Sequence, residues 1–120
     1  MTDPQPAASV AVVDVPQSSR YEARLAADPS TGRAVATYEL RDGAIAFMHT
    51  LVPRTLQGHG VGSALARTAL DDARRRGLAV IPICPFFASY IRRHAAYQDL
   101  VPEAMRAELL AAPAGETSHE

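Results

Sequence analysis

The feature that most restricts the fold is a run of alternating glycines, Gly58, Gly60 and Gly62, which joins an apolar segment to a helical one. Glycine tolerates positive φ and lets a ligand approach the main chain closely. Backbone N–H groups in such a turn can converge at a helix N-terminus, where unpaired donors and the helix dipole attract a phosphate. Taken alone this spacing is a weak signal, because a glycine-rich turn can also serve tight packing only.

Residues of the same segment exclude two common phosphate sites. A P-loop requires Gly-Lys-Ser/Thr, and the chain contains no lysine. A dinucleotide-binding turn requires a third glycine where Ser63 stands, and an acidic residue about 20 positions later. Residues 78–84 offer no such acid. A phosphate at this turn would therefore belong to another class of ligand.

Hydrophobic periodicity places the glycine turn between strands and helices. Alternation predicts two half-buried strands, and a hairpin turn at Asp42-Gly43 leads into a third strand. This third strand is apolar nearly throughout, so we expect it to be covered on both faces. The period becomes helical from Val61. The predicted strands cover residues 20–27, 33–40, 44–52 and 78–84, and the predicted helices cover 61–76, 85–96 and 102–112.

The order of these elements predicts an α/β (α+β) fold with a mixed, mostly antiparallel sheet. A strand, a crossover helix and a second strand form one unit, so the strands at 44–52 and 78–84 are expected to be parallel neighbours. The length of 120 residues suits one domain. We expect a flexible arm at 1–19 with at most a weak strand at 10–15, a domain at 20–112 and a disordered tail at 113–120.

Charge and cysteine content narrow the function classes. The chain has 12 arginines, 13 acidic residues and a net charge of −1, which gives no reason to expect binding to nucleic acid or to a membrane. The single cysteine, Cys84, excludes an internal disulfide and the common multi-cysteine zinc sites, and no metal is predicted. Residues 1–9 lack the features of a signal peptide, so a cytoplasmic protein is expected, and the arginine- and alanine-rich composition is typical of GC-rich bacteria.

Several separated motifs resemble one family. The glycine turn is similar to the Q/R-x-x-G-x-G/A pyrophosphate loop of the GCN5-related N-acetyltransferases. A small subgroup of that superfamily is recognised by a strand ending in His-Thr, an Ile-Pro-x-Cys strand and a helix ending in Arg-Arg-His. The chain carries these motifs in the same order, as His49-Thr50, Ile81-Pro82-Ile83-Cys84 and Arg92-Arg93-His94, followed by Tyr97. The resemblance runs from about Arg20 to Val101.

The resemblance implies a minimal form of that fold, with acetyl-CoA as cofactor and an amine as acceptor. Pyrophosphate oxygens would lie on the backbone amides from Gln57 to Gly62. The pantetheine arm would run between the two parallel strands, which splay apart at their C-terminal ends. Pro82 fits a splayed strand, because proline donates no ladder hydrogen bond. The residues expected to contact the cofactor are Leu51, Val52, Gln57, Gly58, His59, Gly60, Val61, Gly62, Pro85, Tyr90 and Arg93.

The acceptor side is less constrained. Larger relatives carry a helical pair between the first strands that roofs the acceptor pocket, and only short turns join these strands here. The acceptor side is therefore expected to be open, or to be completed by another molecule. The sequence leaves open whether the acceptor is a small-molecule or a protein amine, and whether the chain is a monomer or a weak dimer.

Cys84 is the first candidate for catalysis. It ends a predicted strand and directly precedes a helix that begins at Pro85, and ligands of open α/β sheets gather at such strand ends. The partial positive charge of a helix N-terminus favours the thiolate. Cys84 would either accept the acetyl group covalently or donate a proton to the departing CoA thiolate. The alternative is that it is a small buried hydrophobe.

His49 is the second candidate. Regular alternation places it on the strand face of Ile45, Phe47 and Leu51, one strand from Cys84 and near the same end. Histidine suits a general base at neutral pH, although a lone histidine on an apolar face is more often a core group. The side chains of His49 and Cys84 can meet only if both point to the same face of the sheet. Backbone N–H groups of Leu51 or Val52 would polarise the thioester carbonyl.

The helix after Cys84 offers further candidates. Tyr90 and Tyr97 are placed to serve as the acid that many larger relatives supply from a tyrosine on this helix, although Tyr90 also shares a packing face with Phe86. Arg93 and its neighbours would contact CoA phosphates or the acceptor, or else form a solvated helix end.

Two other functions stay open. A non-catalytic acyl-CoA-binding module would keep the glycine loop without depending on Cys84 or His49. A thiol sensor would require Cys84 to react rapidly with thiol reagents.

Overall fold

The computed structural model describes residues 10–28, 30 and 32–111. Within them the chain forms a five-stranded sheet with three α-helices and three short 3₁₀ segments. The strands are β1 (Val10–Val15), β2 (Arg20–Leu25), β3 (Ala34–Arg41), β4 (Ala44–Leu51) and β5 (Ala79–Pro82). The helices are α1 (Val61–Arg75), α2 (Pro85–Arg93) and α3 (Glu103–Leu110), and the 3₁₀ segments are Pro16–Ser18, Arg54–Leu56 and Ala95–Leu100.

The spatial order of the strands is their order in the chain, β1-β2-β3-β4-β5. The first three pairings are antiparallel, whereas β4 and β5 are parallel and are connected by α1. The predicted α+β fold with a mixed, mostly antiparallel sheet is therefore confirmed. None of the helices in the described part of the chain is both long and apolar enough to cross a membrane.

The start of the ordered domain differs from the prediction. The weak strand expected within the arm at residues 10–15 is confirmed as β1, but it is not part of a flexible arm, because it pairs with β2 along its whole length, from Val10↔Leu25 to Val15↔Arg20. The segment Val10–Val15 has little periodicity of its own and becomes a strand because β2 supplies its hydrogen-bond partners. The other part of the predicted arm, residues 1–9, and the predicted tail at 113–120 lie outside the described residues.

The core lies on one face of the sheet. Phe47 of β4 stacks on Phe87 of α2 at a ring-centroid distance of 4.1 Å, and the Tyr21 ring of β2 lies 6.4 Å from Phe47 on the same side. The Tyr21 hydroxyl donates to Asp72 of α1, so α1 and α2 cover the same face. We call this side the helix face, and the opposite side the open face. The expectation that β4 is covered on both faces is confirmed for residues 44–47, which are all buried, but not for residues 48–51, which are half-buried or exposed.

A β-bulge divides β4 into two halves. Tyr38 of β3 pairs with Phe47, but the preceding Thr37 pairs with His49, so Met48 is an extra residue. The bulge reverses the alternation that follows it. Ile45 and Phe47 point to the helix face in the first half of the strand, whereas His49 and Leu51 point to the open face and are exposed in the second. The prediction that these four side chains share one face is therefore wrong, because one inserted residue moves every later side chain to the other side.

The parallel strands separate after the bulge. Pairing of β4 with β5 ends at Phe47↔Pro82, and the Cys84 N–H then donates to the Phe47 carbonyl at 2.9 Å before α2 begins. In the described structure, residues 49–51 pair with β3 alone. A gap therefore opens beside the C-terminal half of β4, at the end of the sheet where the glycine turn begins.

Candidate functional site

Two contacts hold the glycine turn in place at its N-terminal side. The segment Arg54–Leu56 forms one 3₁₀ turn, and the Leu56 side chain is fully buried in the core. The Gln57 side-chain amide donates to the Val52 carbonyl at 3.1 Å, which ties the turn to the end of β4. Burial of an apolar side chain and this hydrogen bond fix the path of the backbone into α1.

The glycines of the turn have two different roles. Gly58 and Gly60 have φ of 85° and 76°, which other residues rarely adopt, and a Cβ at either would meet nothing within 4 Å. Gly62 lies inside α1 with ordinary helical geometry, and a Cβ there would approach Phe86 Cζ to 3.0 Å and Val52 Cγ2 to 3.5 Å. Gly58 and Gly60 therefore shape an open cradle, whereas Gly62 permits close packing of α1 on α2.

Unused backbone donors gather at the start of α1. The first hydrogen bond of the helix runs from the Ala64 N–H to the Gly60 carbonyl at 3.0 Å, so the N–H groups of residues 61–63 precede the intrahelical ladder. The N–H groups of Gln57 and His59 are already used within the turn, at 3.2 and 3.3 Å. No acidic side chain lies in the first turn of α1 to compete for these donors. The N–H groups open to an anion are therefore those of Gly58, Gly60 and residues 61–63. The predicted set, from Gln57 to Gly62, also included the N–H groups of Gln57 and His59, which are already hydrogen-bonded.

Cys84 lies at the base of the gap, on the helix face. Its side chain is 3% exposed, and its Sγ lies 3.0 Å from Thr50 Oγ1. Thr50 points to the helix face because it pairs with Ala36, whose side chain is buried there. Cys84 also occupies the N-cap position of α2, which continues from Pro85. The thiol therefore faces the gap and contacts the Thr50 hydroxyl. The sequence indicated Thr50 only as part of the His49-Thr50 motif.

His49 and Cys84 do not meet. The bulge places the His49 side chain on the open face beside Thr37, where it is exposed, while Cys84 is buried on the helix face. The exposed side chain of Leu51 also lies on the open face. The condition for a His49–Cys84 contact, a shared face of the sheet, is therefore not met, and the two groups border the same gap from opposite sides of the sheet.

The remaining candidates lie on α2, in the 3₁₀ segment after it and in the glycine turn, and they have different surroundings. Tyr90 is 3% exposed, and its ring stacks on His94 at 3.9 Å. The Tyr97 hydroxyl donates to Asp71 at 2.8 Å, and burial together with this hydrogen bond raises the Tyr97 pKa to about 12. Pro85 and Arg93 are exposed, and so is His59 in the turn. The Tyr97 hydroxyl is therefore hydrogen-bonded to α1, whereas the Tyr90 side chain on α2 is buried.

A comparison with protein families shows which family the chain belongs to. The family model described as GCN5-related N-acetyl-transferase matches residues 20–100. The chain belongs to the GCN5-related N-acetyltransferase family. The resemblance drawn from the sequence motifs is confirmed at the level of the family. No curated protein matches the chain closely enough to count as a relative.

The N-acetyltransferase match covers the elements that build the gap. It begins at the start of β2 and ends at the last residue of the 3₁₀ segment after α2, so β1 and α3 lie outside it. Within the described residues, no group of three or more His, Cys, Asp or Glu side chains is close enough to hold a metal ion. The matched residues include the glycine turn, the gap and the side chains at its border.

Proposed function

We propose that this protein binds acetyl-CoA and transfers the acetyl group to an amine. The observation that carries the proposal is the set of unused N–H groups at Gly58, Gly60 and the first turn of α1, next to the gap between β4 and β5. Such donors suit an anion with several oxygens. Membership of the N-acetyltransferase family supports a pyrophosphate as that anion.

The cofactor would extend from the glycine turn into the gap. A pantetheine arm carries amide groups, and the backbone at residues 49–51 lacks a strand partner on the β5 side in the described structure. An extended molecule with amides can add to such an edge as a strand does. Leu51 and Val52 would then lie beside the thioester, and Pro85, Tyr90 and Arg93 would border the cofactor from α2.

The two sides of the gap suit two proton transfers. In direct transfer the amine nitrogen attacks the thioester carbonyl, the C–S bond breaks, and the amine loses one proton while the CoA thiolate gains one. His49, exposed on the open face, would accept the proton from the amine. Cys84, whose thiol contacts Thr50 on the helix face, would supply the proton to the thiolate. The separation of these groups favours direct transfer between opposite faces over a His49-activated Cys84 nucleophile.

The decisive experiment measures acetyl-CoA binding by calorimetry for the wild type and for Gly60→Ala. Gly60 has a φ of 76° at the start of α1, and an alanine there costs about 1 kcal/mol in backbone strain and redirects the N–H groups. We expect the affinity to fall about tenfold or more, because these donors must converge on the pyrophosphate.

Gly43→Ala is the matched control. Gly43 has a φ of 68° in the turn between β3 and β4, at the other end of the strand, so alanine there imposes a similar strain. Its affinity for acetyl-CoA should equal that of the wild type. Absence of acetyl-CoA binding by the folded wild type would refute the proposal. Binding without acetylation of any amine in a broad library would instead favour the non-catalytic acyl-CoA-binding module.

A further inference from the structure

The open face carries a cluster of charged side chains, three arginines around one glutamate. Glu22 of β2 lies among the guanidinium groups of Arg20, Arg24 and Arg33, at distances of 2.7, 3.6 and 3.8 Å. We call Arg20, Arg24 and Arg33 the arginine cluster. The Glu22 side chain is only 9% exposed, and the hydrogen bond from Arg20, followed by the charges of the other arginines, holds the Glu22 pKa below its usual value. One carboxylate therefore faces three cations, which leaves a local excess of positive charge.

The excess positive charge is exposed to solvent, so another molecule can contact it. Arg20 donates a hydrogen bond to Glu22, but the guanidinium groups of Arg24 and Arg33 make no hydrogen bond among the described residues. The side chains of Arg24 and Arg33 are 41% and 53% exposed. Guanidinium groups with free N–H donors bind carboxylates well, often through two parallel hydrogen bonds. The arginine cluster is thus complementary to acidic side chains.

The cluster lies on the same surface as the acceptor side of the gap. Arg20 pairs with Thr37, and Thr37 pairs with His49, so these residues form one row across three strands of the open face. Neighbouring strands are about 4.8 Å apart, which puts the Arg20 and His49 backbones about 10 Å apart. The guanidinium groups with free donors lie beside the Glu22 carboxylate, two residues further along β2, which puts them about 12 Å from the His49 backbone. Three or four residues of an extended peptide span this distance.

The surface between them is a sheet face rather than a pocket. Both α1 and α2 lie on the other side of the sheet, and Val13 and Leu51 on the open face are 48% and 64% exposed. Small-molecule sites are concave and enclose most of their ligand. A strand surface that is exposed among the described residues instead suits an extended polypeptide, which can lie across it.

From this geometry we propose that the acceptor is an acidic protein segment whose lysine reaches the gap while neighbouring carboxylates bind the arginine cluster on the open face. The inference rests on the proposed acetyltransferase function and names its acceptor class. The carboxylates would lie three or four residues from the lysine, as the spacing of Glu22 and His49 requires.

The test compares acetylation of three short peptides that carry one central lysine flanked by glutamates, glutamines or arginines. We expect kcat/KM to be about tenfold higher for the glutamate peptide than for the glutamine peptide, and this preference to shrink at high salt. In the double variant R24Q/R33Q the ratio of the two kcat/KM values should fall to about one. The matched control R75Q removes an exposed arginine of α1 on the helix side and should keep the preference.

Direct binding separates this inference from the proposed function. Anisotropy of a labelled glutamate peptide, measured without cofactor, should show tighter binding to the wild type than to R24Q/R33Q even if acetyl-CoA does not bind. Equal kcat/KM for all three peptides in a protein that binds acetyl-CoA would overturn the acceptor class alone. A wild-type dimer that R24Q/R33Q dissociates would also overturn it, since a second copy would then occupy the open face.

Discussion

At the scale of the residue, Cys84 is both buried and in contact with a polar side chain. The sequence left open whether its thiol is reactive or only a small buried hydrophobe. In the structure Cys84 is 3% exposed and lies 3.0 Å from the Thr50 hydroxyl, so it is buried and hydrogen-bonded at once. A thiol in this position is protected from bulk reagents but remains within reach of a group that enters the gap.

Alkylation kinetics test this accessibility. We expect iodoacetamide to modify Cys84 about a hundredfold more slowly than a free peptide cysteine, because the reagent must wait for the site to open. The I83C/C84A variant is the control, since Ile83 is the adjacent residue and is 49% exposed. Its cysteine should react at nearly the free rate. Equally fast modification of the wild type would contradict the buried position and would revive the thiol-sensor hypothesis.

At the scale of the element, the bulge in β4 determines on which face of the sheet the candidate site residues lie. Periodicity was sufficient to predict β2, β3, β4, α1 and the parallel pairing of β4 with β5, because these elements have regular patterns over many residues. The bulge leaves no such pattern, since apolar residues stand at both odd and even positions of the segment, with Ala44–Met48 before His49-Thr50 and Leu51-Val52 after it. The sequence therefore indicates His49 and Cys84 as candidates but does not place them on opposite faces, and it does not reveal the contact of Thr50 with Cys84.

Two substitutions in β4 distinguish the bulged strand from a regular one. Phe47→Ala should cost about 3–5 kcal/mol of unfolding free energy, because the ring is fully buried against Phe87. Leu51→Ala should change the unfolding free energy by less than about 0.5 kcal/mol, because Leu51 is 64% exposed on the open face. Urea denaturation measures both. A loss of several kcal/mol in Leu51→Ala would mean that Leu51 lies in the core, as regular alternation predicts.

Tyrosine–carboxylate contacts join separate elements at the scale of the whole molecule. The Tyr38 hydroxyl of β3 donates to Asp14 of β1 at 2.7 Å, across the intervening strand β2. The Tyr21 hydroxyl of β2 donates to Asp72 of α1, and the two tyrosine rings lie 5.5 Å apart. Burial, followed by the hydrogen bond to Asp14, raises the Tyr38 pKa to about 12. These contacts connect the first strand and the first helix to the same core, which explains why β1 is part of the domain.

The alkaline stability of the protein follows from the raised pKa of Tyr38. The folded chain holds this proton more tightly than the unfolded chain, whose usual value is 10.0, so the contribution is complete below pH 10 and is lost as pH rises to about 12. Tyr38→Phe should be about 1 kcal/mol less stable than the wild type at pH 8, because it lacks the bond to Asp14. Urea unfolding at pH 8 and pH 11.5 should show this difference shrinking. A difference that stays constant would mean that Tyr38 does not ionise differently in the folded chain.

The strand order has a consequence for synthesis on the ribosome. Because each strand lies next to the one made before it, a newly emerged strand finds its partner already present and need not wait for a distant one. Only β5 must travel past a helix to reach its neighbour. Short waiting times for partners limit the period in which bare strand edges attract other nascent chains.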